Sequence, residues 1–360
     1  MKAARWFGRD DIAVVDIAPP IPTPEQALLR VLWCGVCGSD LEEYRNGPLT
    51  IPVTQPHPGS GRVAPITLGH EIVAVVEQAA AGGSGFPAGT VVIPDVVIGC
   101  GACWWCNRHD EGLCPRLTVL GQHDDGGLSE YMVARADRCI PVPPSLEPAH
   151  AALAEPTAVA VRALRKAPRV VGSTVLILGG GTTGLIIAQI VRSHGAHAVF
   201  VVDVRADRLA IAEHFGVSPV HADELPALLA ALPEPGIDTV LECTGSPGLL
   251  NQALRAVRPG GTVIVVGLHG GDGPVDIPAL VIGERRILGT AAHMYDDDVH
   301  TAVQLLATRT VDPEPLITHR IPLGDVATVG LPLLADPTAG AVKVLVRCSD
   351  TTGPETGEHP

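Results

Sequence analysis

The sequence predicts an α/β protein in two parts, a doubly wound parallel sheet in its second half and an irregular, mostly β first half. Three observations predict this. From about residue 153, apolar strand-like runs alternate with helical stretches, the pattern of a parallel sheet covered on both faces. Residues 1–150 instead alternate short apolar runs with Pro/Gly turns. The chain's 360 residues suit two or three domains at about 100–200 residues each.

In the first part, strands are expected at 27–33, 71–77, 90–93 and 129–134. In the second, strand 174–178 leads to a helix over 185–193, and strand 198–202 to a helix over 207–215. Strands 238–242, 262–266 and 286–288 follow, then a helix over 298–307 and β pieces ending at 342–346. Residues 270–273 read as a turn, and 349–360, without apolar periodicity, as a loose tail.

Composition narrows the function. A net charge of −14 with 3% aromatic residues repels phosphate and offers few stacking rings, which excludes nucleic acid. No uncharged apolar run reaches about 18 residues, so no membrane span is expected. The N-terminus lacks the apolar stretch of a signal peptide. With nine cysteines, an odd number, this points to reduced thiols and a cytoplasmic protein.

Four of those cysteines crowd into one segment: Cys100, Cys103, Cys106 and Cys114. Such spacing lets one loop wrap a tetrahedral zinc, and four thiolates leave no open position, so this site is read as structural. Trp104 and Trp105 are expected to cover the metal or pack against a neighbour. Disulfides or buried thiols do not explain the clustering.

The run 179–184, GGGTTG, matches G-x-G-x-x-G. The match is weak by itself, but it follows a predicted strand and opens a predicted helix, the context a dinucleotide site requires. The helix N-terminus offers unpaired N–H groups to a pyrophosphate. Asp203 ends the next strand, where a carboxylate binds the adenosine ribose diol and repels a 2′-phosphate. NAD is therefore favoured over NADP, although Arg205 and Arg208 nearby soften the preference. Two further fragments carry potential metal ligands: 34–40, CGVCGSD, and 69–71, GHE. Glu155, before Pro156, stands where the two parts meet.

Taken together, these motifs resemble the zinc-dependent medium-chain alcohol/polyol dehydrogenases, over about residues 1–348 and in that family's order. The resemblance includes 126–131, GGLSEY, and 238–245, DTVLECTG. It implies a GroES-like β-barrel-type catalytic domain over 1–154, with the structural zinc lobe at about 95–115. A Rossmann domain over 155–291 and a return to the catalytic domain over 292–348 follow, with the active site in the cleft between domains. Residue by residue, it implies Cys37, His70 and Glu155 as catalytic zinc ligands, with Glu71 able to exchange with water or substrate. Asp40 would orient His70, and Ser39 would relay the alcohol proton. Many relatives carry a relay His three residues after that Ser; here Glu42 stands there as a candidate acceptor. Cofactor contacts are implied for Gly179, Gly181, Thr182, Thr183, Gly184, Asp203, Arg208, Gly267 and Leu268.

A long segment between Tyr44 and Leu68 resembles the 2,3-butanediol dehydrogenase branch. It implies a vicinal diol, acyloin or polyol as substrate, with hydride passing to NAD. Membership of the wider family implies a homodimer or homotetramer, and the expected partners are small molecules only. The rival functions are a biosynthetic NAD(P)H-dependent ketone reductase, for example of a cyclitol, and a catalytically silent dinucleotide- or zinc-binding protein.

Overall fold

A computed structural model describes residues 1–246, 248–268 and 273–349. The expected turn at 270–273 falls almost wholly outside the described residues, as does the tail beyond 349. The chain divides into two compact units. The first comprises Met1–Glu155, His293–Ala307 and the chain from Ile317 on; the second comprises Pro156–Ala292 and Thr308–Leu316.

The first unit is built on β1 (Gln26–Val36), which continues through the Cys37 turn into helix α1 (Gly38–Asn46). Strand β1 pairs with β2 (Glu71–Gln78), which pairs in turn with β3 (Val91–Pro94). Ile72 to Val76 are buried at every position, so β2 is covered on both faces and shows no period-2 alternation. A three-stranded sheet of Lys2–Gly8, Asp11–Asp16 and Ile66–Thr67 lies in the same unit, with Trp6 fully buried.

In the second unit, after helix α2 (Ala154–Leu164), six parallel strands follow in sequence: β4 (Thr174–Leu178), β5 (Ala198–Asp203), β6 (Ser218–His221), β7 (Ile237–Glu242), β8 (Val257–Val265) and β9 (Arg286–Gly289). Their order in the sheet is β6-β5-β4-β7-β8-β9. Numbered within the unit this is 3-2-1-4-5-6, a Rossmann sheet, whose strand order reverses beside β4. Helix α3 (Thr182–Ser193) starts three residues before the expected helix, because the glycine run stops at its N-cap, Gly181.

The chain then returns to the first unit, where β10 (Lys343–Arg347) pairs antiparallel with β1 and carries Lys343 into the interior. The return is interrupted: Thr308–Leu316, expected in the first domain, belongs to the second unit. Its anchor is Gln189 of α3, whose side chain accepts from Asp312 N at 2.7 Å and donates to Asp312 O at 3.4 Å. No helix among the described residues is long and apolar enough to cross a membrane.

Candidate active site

Cys37 occupies the N-cap of α1, and its N–H donates to Asp40 Oδ2 at 2.9 Å. This reciprocal closure of the first turn holds the thiol at a helix start. His70 stands directly before β2 and Glu71 opens it. The preceding Gly69 has φ +95°, and a Cβ there would lie 2.6 Å from Cys34 Sγ, so the turn that presents His70 needs a glycine.

One ligand atom each from Cys37, His70 and Glu71 lies within 4.8 Å of the others. His70 Nε2 is 3.4 Å from Ser39 Oγ, and Nδ1 is 3.6 Å from Asp40 Oδ1. Burial pulls the His70 pKa down, but the Asp40 carboxylate and Cys37 more than offset it and leave it well above the usual value. Glu71 Oε1 takes Lys343 Nζ at 2.5 Å, while buried Oε2 has no hydrogen-bond partner. Lys343 Nζ also donates to Val36 O at 3.2 Å. Burial pulls its ammonium down; Glu71 outweighs that and holds it above its ordinary range. A buried oxygen without a partner is rare in a folded protein. With the Cys37 thiol and the His70 imidazole within 4.8 Å of one of its oxygens, Glu71 fits a zinc site that retains an open position.

Glu155 lies outside that group of three. It sits in the first turn of α2, with Oε1 3.6 Å from His293 Nδ1. The ligand set brought together here is thus Cys37, His70 and Glu71, and Glu155 stands beside a histidine that the sequence did not single out. Burial pushes the Glu155 pKa up, but His293 and the His70 charge outweigh it and hold it below the usual carboxylate value. His293 Nε2 bonds Asp95 Oδ1 at 2.8 Å. Burial pulls His293 down, yet Asp95 and Glu155 raise it to about 10.

Glu42, the candidate outer acceptor of the proton, lies on the surface of α1. Its side chain is exposed and accepts from Asn46 Nδ2 at 2.8 Å, one helical turn on. Glu43 is the one that turns inward, taking Leu49 N, Thr50 N and Thr50 Oγ1 at 2.9 to 3.0 Å. It ties down the start of the long segment that follows. Cys34 is fully buried and is not a member of the ligand group.

Cys100, Cys103, Cys106 and Cys114 form the second ligand group. Their recorded Sγ separations are 3.5, 3.7 and 4.0 Å. A tetrahedron with Zn–S of about 2.3 Å has edges of about 3.8 Å, so the four thiols already have the size of a zinc cage. Backbone N–H groups of Cys106 and Arg116 point at Cys103 and Cys114 sulfur at 3.5 and 3.3 Å. Cys100 is lowered to about 6, first by a backbone hydrogen bond from Ala102. Of the two expectations for Trp104 and Trp105, packing against a neighbour is seen: they meet edge to face, exposed, with Arg108 over Trp104. His109 pairs with Asp296 at 2.7 Å.

In the second unit, a Cβ on Gly184 would fall 1.9 Å from Gly179 O, whereas one on Gly181 would meet nothing within 4 Å. The first contact locks helix to loop; the second leaves room for a ligand's approach at the helix N-terminus, where Thr182 and Thr183 are half-buried. These residues fit a dinucleotide. Asp203 is buried at the end of β5, where Oδ2 accepts Gly180 N at 2.7 Å and Oδ1 accepts Arg205 N at 2.9 Å. Arg208 Nη1 lies 3.4 Å from the same carboxylate. Gly267 packs so closely on Gly245 that a Cβ would come within 2.1 Å of its nitrogen, and Leu268 beside it is exposed.

Comparison with known proteins gives matching results for both units. Family signatures described as an alcohol dehydrogenase GroES-like domain and a zinc-binding dehydrogenase match residues 23–144 and 182–308. The (R,R)-butanediol dehydrogenase of Bacillus subtilis (strain 168) is 31% identical over 351 residues, covering 96% of this chain and 99% of that protein. An X-ray structure of 2R,3R-butanediol dehydrogenase from Bacillus subtilis aligns with a TM-score of 0.89 at 30% identity, over 97% and 99% of the two chains. A zinc-binding dehydrogenase from Sinorhizobium meliloti 1021, solved bound to NADP, aligns with a TM-score of 0.84 at 30% identity, over 96% and 98%.

Proposed function

The chain belongs to the zinc-binding, GroES-like alcohol dehydrogenase family, and we propose that it is an NAD(H)-linked enzyme for secondary alcohols and ketones whose reacting carbon adjoins a second oxygen. The observation that carries this is the group of half-buried Cys37 with buried His70 and Glu71, and the Ser39 hydroxyl beside His70. Zinc, when bound, supplies a Lewis acid for the substrate oxygen, and the nicotinamide accepts or gives the hydride.

The chain's own residues do the rest. Cys37, His70 and Glu155 are the proposed zinc ligands, with Glu71 able to yield its place. Asp40, fixed by the Cys37 N–H, orients the His70 ring through Nδ1 and leaves Nε2 toward the metal side. Ser39 Oγ holds the alcohol proton as it leaves or arrives. Beyond Ser39 the proton passes to water, since Glu42 faces solvent. Asp203 receives the adenosine ribose, with Gly179, Gly181 and Gly184 shaping the pyrophosphate loop and Gly267 and Leu268 on the nicotinamide side.

NADP is the second reading, and the NADP-bound relative favours it. Against it, Arg205 is paired with Asp207 and Arg208 with Asp203, so both guanidinium groups are engaged with carboxylates. All nine cysteines are free thiols, in keeping with a reducing, cytoplasmic compartment, and the proposed assembly is a homodimer or homotetramer. The test is NADH formation with a panel of vicinal diols, acyloins, polyols and simple alcohols. Activity confined to primary alcohols would refute the substrate class, and turnover only with NADP would refute the cofactor.

A further inference from the structure

We propose that His293, clamped by Asp95, is a positioning residue that holds the Glu155 carboxylate and thereby sets how tightly the catalytic site retains zinc, a role that rests on reading Glu155 as a ligand of that zinc. Three segments far apart in the chain meet here: the end of β3, the first turn of α2 and the returning chain. The His293 and Asp95 side chains are 1% and 0% exposed. Asp95 is a fixed post. Its N–H donates to Arg138 O at 2.8 Å, and its Oδ1 accepts Val97 N at 3.1 Å as well as His293 Nε2 at 2.8 Å.

The Asp95 bond fixes the plane of the imidazole ring and so aims its other nitrogen. That nitrogen, Nδ1, is buried and has no hydrogen-bond partner; the carboxylate facing it is Glu155, with Oε1 at 3.6 Å. Closing a gap of a few tenths of an ångström satisfies the imidazole and draws one Glu155 oxygen onto it, which leaves the second oxygen for the metal. Ligands of metal sites are commonly oriented by such outer partners, and losing one typically weakens metal affinity 10–100-fold. In the usual arrangement a carboxylate supports a ligating histidine; here a histidine supports a ligating carboxylate.

The test is zinc retention by the holoenzyme against a chromophoric chelator, with the four-cysteine zinc as internal reference. His293→Ala is expected to release one of the two zinc ions about 10–100-fold more readily, and Glu155→Ala at least as much, with the other zinc unchanged in both. The double variant should be no worse than Glu155→Ala, because His293 acts through Glu155. Asp95→Asn, which keeps the shape, should weaken the same zinc and serves if His293→Ala fails to fold. Wild-type retention in both the His293 and Asp95 variants, with a weakened site in Glu155→Ala, would overturn the role of His293 and leave the ligand reading standing. Wild-type retention in Glu155→Ala would overturn both. Additive losses in the double variant would show His293 acting elsewhere and also overturn the proposal.

Discussion

Replacing Lys343 by Met tests the interior of the first unit. Met keeps most of the side chain's length and removes Nζ. In the metal-free protein this strips Glu71 Oε1 of its 2.5 Å partner and Val36 O of its 3.2 Å donor, while Glu71 Oε2 already has none. The pair is 3% and 1% exposed, so water does not replace the lost cation. Breaking such a pair from one side costs about 3–5 kcal/mol. Removing both charges, in Glu71→Gln with Lys343→Met, should recover most of that, because no buried charge is left alone. The assay is denaturant unfolding of chelator-treated protein followed by tryptophan fluorescence. All four tryptophans, Trp6, Trp33, Trp104 and Trp105, lie in the first unit, so the signal reports that unit's transition alone. Zinc should reduce the loss in Lys343→Met by offering Glu71 another cation. A loss under about 1 kcal/mol, or a double variant as unstable as the single one, would refute the account of the pair. A loss unaffected by zinc would mean that Glu71 does not reach the metal.

Three further outcomes are expected. Metal analysis should return about two zinc ions per chain, and Cys106→Ser should remove one while the other stays; a single zinc in the wild type would eliminate one of the two sites. Asp203→Ala should shift cofactor preference from NAD toward NADP, measured as the ratio of kcat/KM values, and an unchanged ratio would take Asp203 off the ribose. Ser39→Ala should lower kcat by about 10²–10⁴ with zinc content unchanged; an undiminished kcat would remove Ser39 from the proton path.

Much of this architecture was legible in the sequence because its signals are local. Strand β4 is an apolar run, a strand buried on both faces must be one, and the glycine run after it has few other uses. The four lobe cysteines are likewise close enough in sequence for spacing to reveal them. What was missed is held by contacts between distant segments. Lys343 reads as an exposed charge at a strand's start, and only its bond to Glu71, 272 residues away, places it inside. Asp95 and His293 are 198 residues apart and match no motif. The orientation of Glu42 has a related cause. Three residues from Ser39, it falls near the same side of the helix, but only one of two adjacent glutamates can turn inward. Glu43 does so because the loop's N–H groups at Leu49 and Thr50 await a carboxylate. That demand comes from the loop and is not visible in the helix.

The buried charges around the candidate catalytic site give an independent reason to expect a cation. Asp40, Glu71, Asp95 and Glu155 are carboxylates in or beside it, and Cys37 adds a fifth anion when it binds metal as a thiolate. Among the described residues Lys343 and His293 oppose them, one paired with Glu71 and the other set between Asp95 and Glu155. With that thiolate, negative charges exceed positive by three in a region shielded from water, and by two while Cys37 keeps its proton; uncompensated buried charges are strongly destabilising. A proton on His70 compensates one of them, which is the direction in which the surrounding anions push that ring. A divalent ion compensates two and leaves His70 neutral, the form in which imidazole ligates. The site is thus shaped by charge as well as by ligand geometry for a doubly charged ion. Lys343 and His293 matter because each holds one carboxylate in place without cancelling the negative field that retains the metal.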